Sequence, residues 1–189
     1  YNPWDQRMCL VPNGDLFEVI NQKKASVITE HINSFTKDGI LLESGQILKA
    51  DIIITATGLN LQMLAGIPVV VDNSQVDFSK TITYKGMMFS DVPNLVNSFG
   101  YINASWTLRS DLTCEYLCRL INYMDKHKYK DCRPITHDKI EEENDMLDFS
   151  SGYILRALDI LPKQGTKSPW RNYQNYLLDI FDTRLGSFD

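Results

Sequence analysis

The sequence predicts an α/β fold, and three observations carry that prediction. Asp51–Gly58, reading DIIITATG, is an apolar run of strand length that closes on small residues and a glycine. Short β-prone segments upstream of it have the spacing of an antiparallel meander. Downstream, Thr107–Lys126 carries its apolar residues at helical spacing.

In chain order, Tyr1–Pro12 reads as an extended linker, because Pro3 and Pro12 disfavour helix around them. Asn13-Gly14 is a turn signal, and Asp15 is the candidate cap of a short helix, Leu16–Asn21. Ser26–Thr29, Ile32–Thr36 and Ile40–Leu42 read as strands, the last two separated by Lys37-Asp38-Gly39. Ser44-Gly45 then turns the chain toward Asp51–Thr55. Three consecutive isoleucines there fit a strand buried on both faces, as in a parallel sheet covered by helices. The Ala56-Thr57-Gly58 turn falls at the carboxyl end of that strand, where open α/β sheets hold ligands. A buried strand ending in an ordinary turn accounts for the same residues.

Val69–Val71 with Asp72-Asn73 reads as a surface hairpin or crossover, and Asn94–Gly100 as another apolar strand. A loop, Tyr101–Trp106, leads into the helix Thr107–Lys126. Its stripe of Leu112, Tyr116, Leu117, Leu120, Ile121 and Met124 is read as core packing. Tyr129–Phe149, with Glu141-Glu142-Glu143 at its centre, reads as a solvated connector. Gly152–Leu161 is predicted as a short amphipathic helix stopped by Pro162, and Pro169-Trp170 as the opening of a last helix to about Asp182.

Composition narrows the function classes. A chain of 189 residues with 43% apolar content can build an ordinary domain core. A net charge of −5 argues against a nucleic-acid surface. No apolar run has the length of a membrane span, and no secretory leader is recognisable. Cys9, Cys114, Cys118 and Cys132 form no C-x-x-C pair and suit free thiols in a reducing cytoplasm. His31, His127 and His137 are scattered, so no metal site is expected, and no nucleophile–histidine pattern assembles.

Several separated segments together resemble a known family. They are Tyr1–Ile20 (YNPWDQRMCLVPNGDLFEVI), the ATG run, and Tyr84–Leu108 (YKGMMFSDVPNLVNSFGYINASWTL). Ser151–Pro162 (SGYILRALDILP) and Lys163–Tyr176 (KQGTKSPWRNYQNY) extend the match. The chain is similar to the carboxyl-terminal part of class B flavoprotein monooxygenases of the Baeyer–Villiger type, closest to the ethionamide-activating branch. The resemblance implies two dinucleotide-binding domains. Residues 1–55 would end the NADP-binding domain with its linker, 56–128 would return into the FAD-binding domain, and 129–189 would form a charged connector and helical extension. It implies FAD and NADPH as cofactors. The chain itself has no G-x-G-x-x-G turn, and it begins at Tyr1 inside a recognisable motif. The expectation is a fragment of a longer enzyme, inactive alone and unable to bind dinucleotides tightly.

The implied reaction inserts one oxygen atom of O2 into a ketone or at sulfur, with a ketone, sulfide or thioamide as substrate. NADPH reduces the flavin, which then carries oxygen as a C4a-peroxide. The family's active-site arginine falls by motif position on Arg7, where a permanent cation favours the anionic peroxide. Relatives often have lysine just before it, and here that position is Gln6, a neutral amide. Thr57 and Gly58 of the ATG turn are expected to contact cofactor. So are Asn103, Ala104 and Ser105 of GYINASWT, a glycine-ended strand leading to a helix amino terminus. A capped helix without ligand is the alternative for that element. Tyr101 and Trp106 suit either a substrate pocket or the core. Two rival functions stand beside this one: an N- or S-oxygenating flavin monooxygenase, and a non-catalytic scaffold or interaction module.

Overall fold

The computed structural model describes residues 11–102, 104–136, 144–146, 151–186 and 188. The chain divides into two units, one of residues 8–58 and one of residues 59–189 with 1–7. The expected linker and the Glu141–Glu143 run lie wholly or mostly outside the described residues.

In the first unit, helix α1 spans Asp15–Asn21. Its N-cap is Gly14 in the left-handed region, and Asp15 is already helical, so the cap falls one residue before the expected one. Strands β1 (Ile32–Thr36), β2 (Gly39–Leu42) and β3 (Ile47–Lys49) form an antiparallel meander in that order. Thr36 pairs with Gly39, which leaves the two-residue turn Lys37-Asp38 between β1 and β2. The meander is therefore as expected in kind, but its third strand is β3, whereas Ser26–Thr29 has no ladder.

The strand expected at Asp51–Thr55 does not form. The backbone from 51 to 58 is irregular and exposed, with Ile52 and Ile54 at 81% and 85% exposure. A strand buried on both faces needs ladder partners at its edges and cover on its faces. Among the described residues of this unit the chain provides neither, since Leu42 is its only buried apolar side chain.

Among the described residues the second unit is held by three apolar clusters. Val70–Val71 (β4) and Ser74–Gln75 (β5) make a hairpin, which settles the choice between hairpin and crossover, with Asp72 and Asn73 both at positive φ as a tight two-residue turn requires. Thr83–Tyr84 (β6) pairs antiparallel with Met88–Phe89 (β7). Asn94–Gly100 runs without a ladder, anchored by Asn97 N–H to the Met87 carbonyl at 2.7 Å. Helix α2 spans Trp106–His127, within a residue of the expected bounds at each end. Leu112, Tyr116 and Leu120 are buried as the stripe predicts, and Tyr116 and Leu120 pack with Met87 and Met88. Ile121 departs from the stripe and is exposed. Lys126 and His127 in the last turn complement the helix dipole.

Asn144–Asp145 (β8) pairs with Lys163–Gln164 (β9). The expected Gly152–Leu161 helix is one turn, α3 (Gly152–Leu155), followed by turns whose Ala157 and Leu161 still enter a cluster with Met146 and Ile154. The last helix, α4, spans Tyr176–Arg184 and starts later than Pro169. Gln174 is left-handed at φ 52, which a helix cannot accommodate. Asn175 then caps α4, its Oδ1 accepting from the N–H groups of Leu177 and Leu178 at 3.1 and 3.3 Å.

Candidate functional site

Of the residues expected at the site, Arg7 and Asn103 lie outside the described residues, as does Gln6. Thr57 and Gly58 belong to the first unit, on its exposed irregular end, and Gly58 has φ 103. That conformation is open to glycine and strained for a residue with a side chain. Ala104 and Ser105 belong to the second unit, side by side and exposed at the start of α2.

The start of α2 is exposed among the described residues. Ser105 is the N-cap, yet its side chain bonds no backbone N–H of the first turn. Its hydroxyl is engaged at 2.7 Å with that of Thr107. No acidic residue occupies the first turn, and Ala104, Ser105, Trp106 and Thr107 are all exposed. Among the described residues, the positive dipole end of this 22-residue helix carries no side-chain cap, an arrangement that suits an anionic or electron-rich group.

Gly100 makes this turn possible. A Cβ there would overlap the Trp106 ring and stand 2.8 Å from the Trp106 Cβ. Trp106 folds back over the glycine, tilted against Phe99 with ring centroids 5.4 Å apart, and remains 48% exposed. Tyr101, in contrast, is core: it is buried, and its OH donates to Asp179 Oδ2 at 2.7 Å.

Behind the loop lies a buried polar network that sequence reasoning missed. Arg109 on α2 and Asp179 on α4 form an ion pair, Nη1 to Oδ2 2.6 Å, with both side chains 2% exposed. Arg109 Nη2 also donates to the Lys85 carbonyl. Burial, and then the hydrogen bond to Asp179, pushes the Tyr101 phenol well above its ordinary pKa. The Ile102 N–H donates to Gln174 Oε1 at 2.9 Å. Elsewhere between the two helices, Arg119 donates to the Thr183 carbonyl at 2.6 Å and Arg184 grips Glu115 at 2.7 and 2.9 Å. A signal for this existed in the sequence. Arg109 stands three residues before Leu112 on the apolar stripe of α2, and a buried arginine requires an acidic partner.

A separate shallow pocket, lined by Met63, Gln75, Asp77, Phe78, Asp159 and others, includes none of the expected site residues. Among the described residues no group of three His, Cys, Asp or Glu side chains is placed to hold a metal, and no helix is long and apolar enough to cross a membrane.

Sequence comparison supplies the class. Over its full length the chain is a homologue of part of the FAD-containing monooxygenases, as the motifs suggested. It is 53% identical over 189 residues to the FAD-containing monooxygenase EthA of Mycobacterium tuberculosis, covering 100% of this chain and 39% of that protein. It is 48% identical over 190 residues to the probable FAD-binding monooxygenase AlmA of Acinetobacter baylyi, covering 100% of this chain and 38% of that protein. A putative FAD-containing monooxygenase, MymA of Mycobacterium tuberculosis, is 46% identical over 180 residues, 95% of this chain and 36% of that protein. The chain thus spans less than two fifths of the length of these relatives. No family model and no solved structure matches it.

Proposed function

We propose that this chain is a portion of an FAD-dependent monooxygenase and forms part of its flavin site. The observation that carries the proposal is 53% identity, without a break in coverage, to an FAD-containing monooxygenase. The start of α2 supports it, because a helix amino terminus with no side-chain cap among the described residues fits the electron-rich edge of an isoalloxazine ring. Bound FAD, reduced by NADPH, would supply the oxygenating chemistry toward a ketone, sulfide or thioamide. In this reading residues 1–55 close an NADP-binding domain, 56–128 return into the FAD-binding domain, and 129–189 extend it. Ala104, Ser105 and Asn103 border the ring; Thr57 and Gly58 are cofactor contacts, Gly58 because it has no side chain to obstruct the approach.

Arg7 is the residue proposed to act on the reacting atoms. A guanidinium stays charged at any working pH, so it stabilises negative charge that develops on oxygen during transfer to a carbonyl. Oxygenation at nitrogen or sulfur has no such requirement, which makes Arg7 the discriminator between the two chemistries. In the FAD-loaded enzyme that carries this chain, Arg7→Ala is expected to lose ketone oxygenation by on the order of a hundredfold or more. Flavin reduction by NADPH, followed by stopped-flow absorbance, is expected to persist. Ester formation at the parental rate in that variant would remove Arg7 from the mechanism and favour N- or S-oxygenation.

A further inference from the structure

We infer that Gln174, 72 residues downstream in sequence, is a positioning residue for the cofactor-facing loop at the start of α2. The inference rests on the reading of that loop as part of the flavin site. Among the described residues from Gly100 to Ser105 none joins a ladder. What fixes the loop among the described residues is contact from the carboxyl-terminal segment. Gln174 Oε1 accepts from the Ile102 N–H at 2.9 Å, and Asp179 accepts from Tyr101 OH at 2.7 Å. These are adjacent loop residues held from one side, two and three positions before Ala104.

Gln174 has an amide that is itself held in orientation. Its backbone is left-handed at φ 52, a conformation uncommon for a residue with a side chain. Its own Nε2 is directed to Asn172 Oδ1 at 3.4 Å, so the amide is oriented with its oxygen toward Ile102. Asn172 in turn donates its N–H to Gln164 Oε1 at 2.9 Å, which ties the brace to β9. The brace therefore runs from β9 through Asn172 and Gln174 to the Ile102 peptide, and it fixes where the following residues meet the flavin. Loss of a single such bond lets the loop sample other positions at a cost of only a few-fold in equilibrium population. The expected effect is on the flavin environment, with the fold retained.

The test uses the enzyme that carries this chain, titrated with FAD and followed by flavin fluorescence and visible absorbance. Gln174→Leu keeps the side-chain bulk and deletes the acceptor. It is expected to weaken FAD binding about three- to tenfold and to shift the bound flavin spectrum. Gln174→Glu keeps an acceptor at the same reach, gives up the Nε2 contact to Asn172, and is expected to retain FAD affinity better than Gln174→Leu. Arg119→Ala is the control for a purely structural role. It removes the bond to the Thr183 carbonyl, a second tie between α2 and α4, and is expected to leave FAD affinity within about twofold. Parental affinity and spectrum in Gln174→Leu, or an equal change in Arg119→Ala, would overturn the inference while leaving the flavin site standing. If the unsubstituted enzyme takes up no FAD, the flavin-site reading itself falls, and this inference falls with it.

Discussion

Replacing Asp179 with alanine would leave Arg109 as an unpaired buried cation, and the structure permits the consequence to be estimated. Both side chains are 2% exposed and their charged atoms are 2.6 Å apart, so water cannot substitute for the lost carboxylate. Breaking a buried pair by deleting one partner costs about 3–5 kcal/mol. Tyr101 OH loses its acceptor in the same step, which falls within that range because the ion pair and the hydrogen bond share one carboxylate oxygen. Asp179→Ala should therefore destabilise the second unit by about 4 kcal/mol. Arg109→Met should cost less, about 2–3 kcal/mol, because Asp179 keeps the Tyr101 hydroxyl. In the double variant no charge remains buried alone, and the cost should be no larger than that of Asp179→Ala. The assay is urea unfolding followed by tryptophan fluorescence, with Trp170, packed edge-on against Tyr84, as a reporter in this unit. A coupling energy of about 2 kcal/mol or more is expected from the cycle. Additive single and double effects, or an Asp179→Ala cost below about 1 kcal/mol, would refute the reasoning.

Two more outcomes follow from the same unit. Gly100→Ala should cost about 1–3 kcal/mol and shift Trp106 emission, because the added methyl displaces the indole from its root; Trp106→Ala should relieve most of that loss, and equal stability of Gly100→Ala and the parent would count against the packing described. Stability should also fall on the alkaline side. Tyr101 and Tyr116, and Tyr84 with them, are held above their ordinary pKa of 10.0, chiefly by burial. Their contribution is complete below the unfolded value near pH 10, where the phenols are neutral in both states. It is lost as pH rises toward the folded values, because the unfolded chain ionises first. The slope should be at most about 1.4 kcal/mol per pH unit for each tyrosine, and Tyr101→Phe should flatten it; urea midpoints measured across that window that do not move with pH would contradict the burial of these phenols.

The amino-acid sequence by itself determined the elements whose causes are local. The apolar stripe from Leu112 to Met124 set α2 to within a residue at each end. Ile32–Thr36, the Lys37-Asp38-Gly39 turn and Ile40–Leu42 specified the first hairpin, while Asp72-Asn73 marked a turn without deciding between hairpin and crossover. The similarity to flavin monooxygenases was legible in the same way, because motifs are runs of neighbouring residues.

Tertiary structure alone decided which extended segments became strands and where the buried charges went. Asp51–Thr55 and Asn94–Gly100 have strand composition, yet a ladder depends on a partner that composition cannot name, and neither gains one among the described residues. Pro169-Trp170 looks like a helix start, but left-handed Gln174 and the cap at Asn175 move α4 down the chain. The network of Tyr101, Arg109 and Asp179 joins residues 70 or more positions apart. The apolar stripe hinted that Arg109 would be buried, and with it the need for a carboxylate. Which of the 24 acidic residues answers that need was decided only when α4 packed on α2, because a buried cation is stable only against the one acid that packing brings within bonding distance.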